Sequence, residues 1–241
     1  MYNLKLFTMN QMMECGAALR RLGTGARSME EVANKIVRYL YEHLTDPQTG
    51  EKSCALVRFY TTHPYGELPA DLREFARALL GEHPELPSIQ CLTLLATAGD
   101  KPEWTSRANS VGHKAIPLPS EKVVAQIPMI AQLIKQLGLE ISEVVKPDPS
   151  LIADQVKRTY NAFYISEAVG SPYIPAQAEF VIPFGIKSVL GFGGRLPASY
   201  LFAIIMFSKV HIPEQTADMF GAVARSAAVA VEPFAGGTVF A

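Results

Sequence analysis

The stretch that most constrains the fold of this chain covers residues 180–231. It contains two short apolar runs, one ending at Phe192 and one spanning residues 200–208, with a turn-like Gly-Gly-Arg-Leu-Pro-Ala-Ser sequence between them. Two such runs divided by turn residues predict a β-hairpin with a longer loop. In the second run both alternating sets of side chains are apolar, so this strand must be covered on both faces.

A helix is predicted to follow the hairpin, over residues 213–232. Pro213 suits a first helical position, and the negative charge of Glu214 is favourable near a helix N-terminus. Apolar side chains then recur at helical spacing, namely those of Met219, Phe220, Val223, Ala227 and Val231. The unit is therefore a central hairpin with a helix returning to cover one face.

The first half of the chain predicts two helices before its strands. Residues 4–22 have a helical pattern rich in methionine, and Ser28 with Glu31 predicts a capping box at the start of the next helix. The elements predicted after these helices are a strand over residues 54–62, a helix over 69–80 and a strand over 89–96.

The middle of the chain is irregular at first and helical later. Residues 99–119 are predicted to be irregular, and a helix over residues 120–137 must be interrupted or restarted at Pro128. The elements predicted after it are a helix over residues 151–158, capped by Ser150, and a strand over 159–165. No shift in composition marks a boundary, so residues 1–241 are interpreted as a single domain.

Four segments together resemble a known family. They are Gly185-Ile186-Lys187-Ser188, the apolar strand over 201–208, the closing helix with Ala227-Ala228, and the early strand Cys54-Ala55-Leu56-Val57-Arg58-Phe59-Tyr60. In this order they resemble the GAF domain family, over about residues 19–231. The resemblance implies an α/β (α+β) fold: a central antiparallel sheet with the N-terminal helix 4–22 and the C-terminal helix 213–232 on one face, and the middle helices and loops on the other.

The same resemblance implies a function. GAF domains of this kind are regulatory, small-molecule-sensing modules of signal-transduction systems, found with bacterial histidine kinases, and such a module has no catalytic activity of its own. A downstream kinase or other output is therefore a possible partner. A homodimer is expected through the terminal helices, which carry Met9, Met12, Met13 and the Ala227-Ala228 pair. The resemblance does not identify a cofactor or a ligand.

A ligand pocket is expected on the sheet face away from the terminal helices, beneath residues 99–119, 120–137 and 160–175. Pockets combine apolar and aromatic walls with a few polar groups. The residues predicted to bind the ligand are Trp104, Arg107, Phe163, Tyr164, Tyr173, Ser188 and Phe192, with His113 as a further polar group. Such a cavity would be too apolar for a free nucleotide. The alternative is that these aromatic side chains simply fill a second core.

Composition and charge disfavour several other classes. The 22 Lys and Arg residues balance 23 Asp and Glu residues, so the chain lacks the basic field of a nucleic-acid-binding protein. The apolar runs are shorter than the roughly 20 residues that a membrane-spanning helix needs, and the N-terminus does not resemble a signal peptide. The odd number of cysteines, 3 in all, favours reduced thiols and a cytoplasmic location.

Particular residues bear on the enzymatic alternatives. A thiol-based reductase of the GAF-type methionine sulfoxide reductase kind would use exposed cysteines, whereas Cys15, Cys54 and Cys91 lie in apolar segments. A dimerisation module with a vestigial pocket is a third possibility.

The Gly191-Phe192-Gly193-Gly194 sequence is interpreted as a hairpin loop rather than a phosphate loop, because no helix follows it. The 5 histidines show no metal-binding spacing.

Overall fold

A computed structural model describes residues 1–81, 86–147, 159–197 and 200–241 of the chain. Within these residues six strands form one sheet, and every neighbouring pair of strands is antiparallel. In chain order the strands are β1 (Cys54–Pro64), β2 (Gln90–Gly99), β3 (Ala115–Leu118), β4 (Tyr160–Ile165), β5 (Ser188–Arg195) and β6 (Leu201–Ser208). Their order across the sheet is β3-β2-β1-β6-β5-β4.

The α-helices of the described residues are α1 (Met9–Arg21), α2 (Met29–His43), α3 (Ala70–Leu80), α4 (Glu121–Ala125), α5 (Pro128–Gln136), α6 (Ile141–Val145) and α7 (Glu214–Val231). Local chemistry fixes several helix ends, as the sequence predicts. The Ser28 hydroxyl accepts the Glu31 N–H at 3.1 Å, and a new helix begins at Pro128. The other half of the predicted capping box does not form, because the Glu31 carboxylate accepts the Arg27 N–H at 3.0 Å instead of that of Ser28. Helix α6 was not predicted. The helix predicted over 151–158, with its cap Ser150, lies outside the described residues.

The helices cover the two faces of the sheet in the expected arrangement. One core contains side chains of α1, α2 and α7 together with Phe59, Phe202 and Ile204 of the sheet. The other contains side chains of α4, α5 and α6 and of the connecting segments, together with Tyr60 and Ile205. Because side chains alternate along a strand, consecutive residues of β6 enter opposite cores. The prediction of terminal helices on one face and middle helices and loops on the other is confirmed.

The first strand of the predicted hairpin is shorter and later than expected. Gln177–Val181 forms a π-helical turn, and β5 begins only at Ser188. The glycine-rich sequence that was predicted to be a loop belongs to this strand. A Cβ at Gly193 would lie 2.1 Å from the carbonyl oxygen of Phe202, and one at Gly194 would lie 2.2 Å from that of Thr159. Glycine is needed there because neighbouring strands approach closely, not because the chain turns.

The remaining differences concern the N-terminus and the irregular segment. The predicted first helix is divided: Leu4–Leu6 forms a 3-10 turn, and α1 begins after Thr8, whose side chain accepts the Gln11 N–H at 3.2 Å. Part of the segment predicted to be irregular forms β3 at the sheet edge. Among the described residues, no helix has both the length and the apolar character that would let it cross a membrane.

Candidate ligand-binding site

Three of the predicted aromatic residues converge on the sheet face that the middle helices cover. Trp104 and Phe163 belong to the second core, and the partly buried Tyr173 packs against it. The Trp104 ring lies against Phe184 and Phe180, with centroid distances of 4.7 and 5.7 Å. Phe163 is fully buried, in space left by the missing side chain of Gly191. Phe163 therefore acts as a core residue, and Trp104 and Tyr173 lie nearer the surface.

The other two aromatic residues lie on the opposite face. Phe192 packs on Phe220 of α7, with ring centroids 5.2 Å apart. Tyr164 packs against the first core, and its hydroxyl donates a hydrogen bond to the carbonyl oxygen of Ile212. Phe163 and Tyr164 are consecutive in a strand and so point to opposite sides. The prediction that all five aromatic residues line one pocket is therefore wrong for Tyr164 and Phe192.

Two of the predicted polar residues are bound to other parts of the protein. The Arg107 guanidinium lies 2.8 Å from Glu30 at the start of α2 and 3.0 Å from Asp71 of α3. The Ser188 hydroxyl donates to the carbonyl oxygen of Ser166 at 3.0 Å and accepts the Ile212 N–H at 3.1 Å. Arg107 thus ties the irregular segment to two helices, and Ser188 joins the start of β5 to the segment before α7.

A charged group that faces this side of the sheet is Arg58 of β1, which the site prediction did not include. Arg58 is only 8% exposed. It donates hydrogen bonds to the Tyr60 hydroxyl at 3.2 Å and to the Ser110 hydroxyl at 3.4 Å. These distances exceed the roughly 2.7–2.9 Å typical of strong charged hydrogen bonds. The buried Nε of Arg58 has no hydrogen-bond partner.

Thr97 adds a second polar group without a hydrogen-bond partner beside Arg58. The two residues are paired across β1 and β2, so their side chains project to the same face. Thr97 is fully buried, and its hydroxyl also lacks a hydrogen-bond partner. We refer to Arg58, Tyr60, Thr97 and Ser110 as the Arg58 cluster. No carboxylate of the described residues forms an ion pair with Arg58.

His113 lies near this cluster with its side chain at the surface. Its backbone φ is 56°, in the left-handed region that few residues other than glycine adopt. The protein surrounding its ring, together with the positive charge of Arg58, lowers the pKa of His113. His113 is therefore mostly neutral at neutral pH and adds little positive charge to the Arg58 cluster.

A signal for Arg58 was present in the sequence. The strand Leu56-Val57-Arg58-Phe59-Tyr60 is otherwise apolar or aromatic, and all five of these residues are buried. Charged residues are rarely buried unless they are paired. An arginine at the centre of such a strand therefore marks a position that needs a counter-charge.

The three cysteines are buried, and all have unreactive surroundings. Each is 0% exposed, and burial raises the pKa of each thiol to about 12. Cys15 and Cys54 lie in the first core, whereas Cys91 lies in a small separate cluster beside α3. At neutral pH such thiols are almost entirely protonated, and the thiol is a much weaker nucleophile than the thiolate.

An open cleft of about 680 Å³ lies elsewhere on the surface, lined by Lys5, Asp46, Lys209 and Asp100 among others. Its charges largely neutralise one another: Lys5 lies 3.3 Å from Asp46, and Lys209 lies 3.1 Å from Asp100. The described residues contain no group of His, Cys, Asp and Glu side chains suited to a metal ion. The Arg58 cluster is therefore the stronger candidate site.

A comparison with protein-family models gave no match, and neither did a comparison with curated proteins. Solved structures that are similar include free methionine-R-sulfoxide reductase from Neisseria meningitidis in complex with its substrate, with a TM-score of 0.49 and 10% identity over 95% of this chain and 96% of that one. Two cyanobacterial phytochrome GAF domains are also similar. The phycocyanobilin-bound domain has a TM-score of 0.47 and 11% identity over 92% of this chain and 94% of that one. The phycoerythrobilin-bound domain has a TM-score of 0.44 and 11% identity over 94% and 96%. With its sheet order and the placement of helices on the two faces, this chain has a GAF-like fold.

Proposed function

We propose that this chain is a regulatory small-molecule-sensing and dimerisation module of a signal-transduction system, without catalytic activity of its own. The observation that carries the proposal is the Arg58 cluster, whose buried donors have too few partners. Unsatisfied buried polar groups are rare in folded proteins, and each calls for an explanation. A small molecule with hydrogen-bond acceptors would satisfy these donors. The rest of that molecule would contact the neighbouring aromatic side chains.

The segment over the site is connected to the helices that would transmit a signal. Ser110 of this segment bonds to Arg58, and Arg107 of the same segment pairs with Glu30 of α2. Arg38 of α2 also donates to the carbonyl oxygen of Thr105, at 3.2 Å. Helix α2 shares a core with α1 and α7. A ligand that moves Ser110 would therefore act on the terminal helices through packed and hydrogen-bonded groups.

A thiol-based reductase is the competing proposal, and the thiols disfavour it. A reactive cysteine needs exposure and a lowered pKa, whereas all three cysteines here are buried and have raised pKa values. Two of them lie in one core and the third in another cluster.

The dimerisation part of the proposal depends on exposed apolar residues of the terminal helices. Met9 and Met13 of α1 are 59% and 57% exposed, and Val229 of α7 is 48% exposed. Ala227 and Ala228, which motivated the prediction from sequence, are buried within the domain and are not available to a partner. Two-fold association through the exposed residues would bury an apolar surface of the kind that marks interaction sites. A kinase or other signalling output remains the proposed downstream partner.

Native mass spectrometry of gently purified protein tests the sensing role. We expect an adduct of small-molecule mass that is lost when Trp104 is changed to Phe and retained when Tyr164 is changed to Phe. These two variants alter single aromatic residues on opposite faces of the sheet. Bare chain in every preparation, together with no ligand-induced change in Trp104 fluorescence on adding a metabolite extract, would contradict the proposal. The fluorescence signal comes from Trp104 alone because the chain contains 1 tryptophan.

A further inference from the structure

We infer that the Arg58 cluster binds the carboxylate group of a small monocarboxylic acid with an apolar body. This inference rests on the sensing function proposed above and specifies the chemistry of its ligand. It is drawn from the vacant donors around Arg58, the single positive charge there, and the apolar side chains that surround it.

The first step concerns the charge of Arg58. A buried lysine can lose its proton, but a guanidinium remains charged in proteins. Removing such a charge from water without a partner is costly, so buried charges are normally paired. The residue is 8% exposed and has no ion pair within the described part of the chain. An anionic ligand would supply the partner that the described residues lack.

The second step concerns the hydrogen-bond donors. Arg58 has five N–H groups, and the structure gives acceptors for two of them, at 3.2 and 3.4 Å. The Tyr60 hydroxyl accepts from Arg58 and has its own proton to donate, and the buried Thr97 hydroxyl has no partner. The Ser110 hydroxyl, in contrast, already donates to the carbonyl oxygen of Gly112 at 3.2 Å. Several unused donors converge, which is what an acceptor-only carboxylate requires.

The third step concerns the number of charges. Arg58 supplies one positive charge, and the lowered pKa of His113 keeps that neighbour mostly neutral at pH 7. One cation balances one carboxylate, whereas a phosphate monoester carries about 1.5–2 negative charges and would leave part of its charge buried without compensation. The charge balance therefore favours a monocarboxylate over a phosphate.

The fourth step concerns the rest of the ligand. Leu56, Leu94, Trp104 and Ile205 belong to the same core as Tyr60. Ile205 is paired with Arg58 across β1 and β6, so the two side chains project to the same face. A ligand body next to Arg58 would contact these side chains, and only an apolar body gains free energy from doing so.

Titration of the full chain with defined probes tests the inference. The probes are acetate, propionate and phenylacetate, with phenylacetamide as the neutral control and inorganic phosphate as the dianion control. Isothermal titration calorimetry measures binding, and Trp104 fluorescence reports on the segment over the site. We expect at least one carboxylate to bind saturably. Phenylacetamide should bind about 10- to 100-fold more weakly than phenylacetate, because hydrogen bonds to charged groups contribute more than neutral ones.

Two variants and a matched control assign the binding to Arg58. Arg58→Met should abolish carboxylate binding, whereas Arg195→Met should retain it. Arg195 is a suitable control because it also lies in a strand but is paired with Glu143 at 2.7 Å. If Arg58→Met does not fold, Tyr60→Phe removes one donor and should weaken binding by about tenfold or less. Unchanged carboxylate binding in Arg58→Met, or in Tyr60→Phe if only that variant folds, would overturn the inference.

The remaining outcomes separate this inference from the proposed function. If no carboxylate binds at millimolar concentration, or if phosphate or phenylacetamide binds as well as phenylacetate, the Arg58 cluster holds water or another ligand and the inference is overturned. If a neutral small molecule is still bound in Arg58→Met, the sensing role stands and the inference of a carboxylate ligand is overturned. Carboxylate binding through Arg58 without any change in hydrogen exchange of α1 and α7 would support this inference and contradict the sensing role.

Discussion

Replacing Arg58 by Met is expected to stabilise the ligand-free protein, which is unusual for a change at a buried position. The variant loses two long hydrogen bonds, at 3.2 and 3.4 Å, each worth about 1 kcal/mol. It also removes a buried charge that has no ion-pair partner among the described residues, and the effective desolvation cost of such a charge is several kcal/mol. The linear Met side chain fills much of the same space. The net gain in unfolding free energy is expected to be about 1–3 kcal/mol.

Urea unfolding followed by circular dichroism measures this gain, provided that the slope of the transition is unchanged. A thermal scan should show a melting temperature higher by about 2–12 °C, since a chain of this size shifts by about 2–4 °C per kcal/mol. Arg195→Met is the matched control, and it should lose about 1 kcal/mol because it breaks the ion pair with Glu143. If Arg58→Met unfolds at lower urea than the parent protein, Arg58 is satisfied within the chain and the case for a missing anion fails.

Four further predictions follow from the same structure. Ile204→Ala should lose about 2–5 kcal/mol of unfolding free energy because it leaves a cavity in the first core; a melting curve that overlaps the parent's would contradict this. Burial lowers the pKa of His63 to about 4. The unfolded chain therefore binds the proton more readily, and stability should fall by about 2–3 kcal/mol as the pH drops from 6.5 to 4; a His63→Phe variant with the same pH dependence would show that another group is responsible. Sedimentation at micromolar concentration should give a dimer mass that becomes monomeric in the Met9→Glu, Met13→Glu double variant, and a monomeric parent protein would exclude the dimer. The thiols should react with a thiol reagent only as fast as the chain unfolds, and fast labelling of two of them in native protein would favour the reductase.

Much of the fold was predictable from the sequence because the signals are local. Ser28 predicts a helix start through its own side chain, and Pro128 restarts a helix because it lacks an N–H. The run over residues 200–208, which is apolar on both faces, predicts a covered central strand, and β6 (Leu201–Ser208) lies within it. In their order these elements resemble the GAF family, and it was this resemblance that predicted the layers.

The predictions that were wrong concern features that are set by neighbouring strands. Gly193 and Gly194 have the composition of a turn, yet they lie in β5 because the backbones of Phe202 and Thr159 approach them closely. Tyr164 and Phe192 were assigned to a pocket by their aromatic character alone. The pleat and register of β4 and β5 decide which core each of them enters.

The candidate site shows the same division between sequence and structure. The sequence by itself determined that Arg58 lies within an apolar strand, and hence that its charge is buried. Only the tertiary structure decided that Arg107 pairs with Glu30 and Asp71, whereas Arg58 has no carboxylate partner in the part of the chain that the structure describes. The physical reason is that burial follows from the residues next to Arg58 in its own strand, whereas its charge partner must come from segments far away in the chain. Where those segments end up is fixed by the packing of the whole domain.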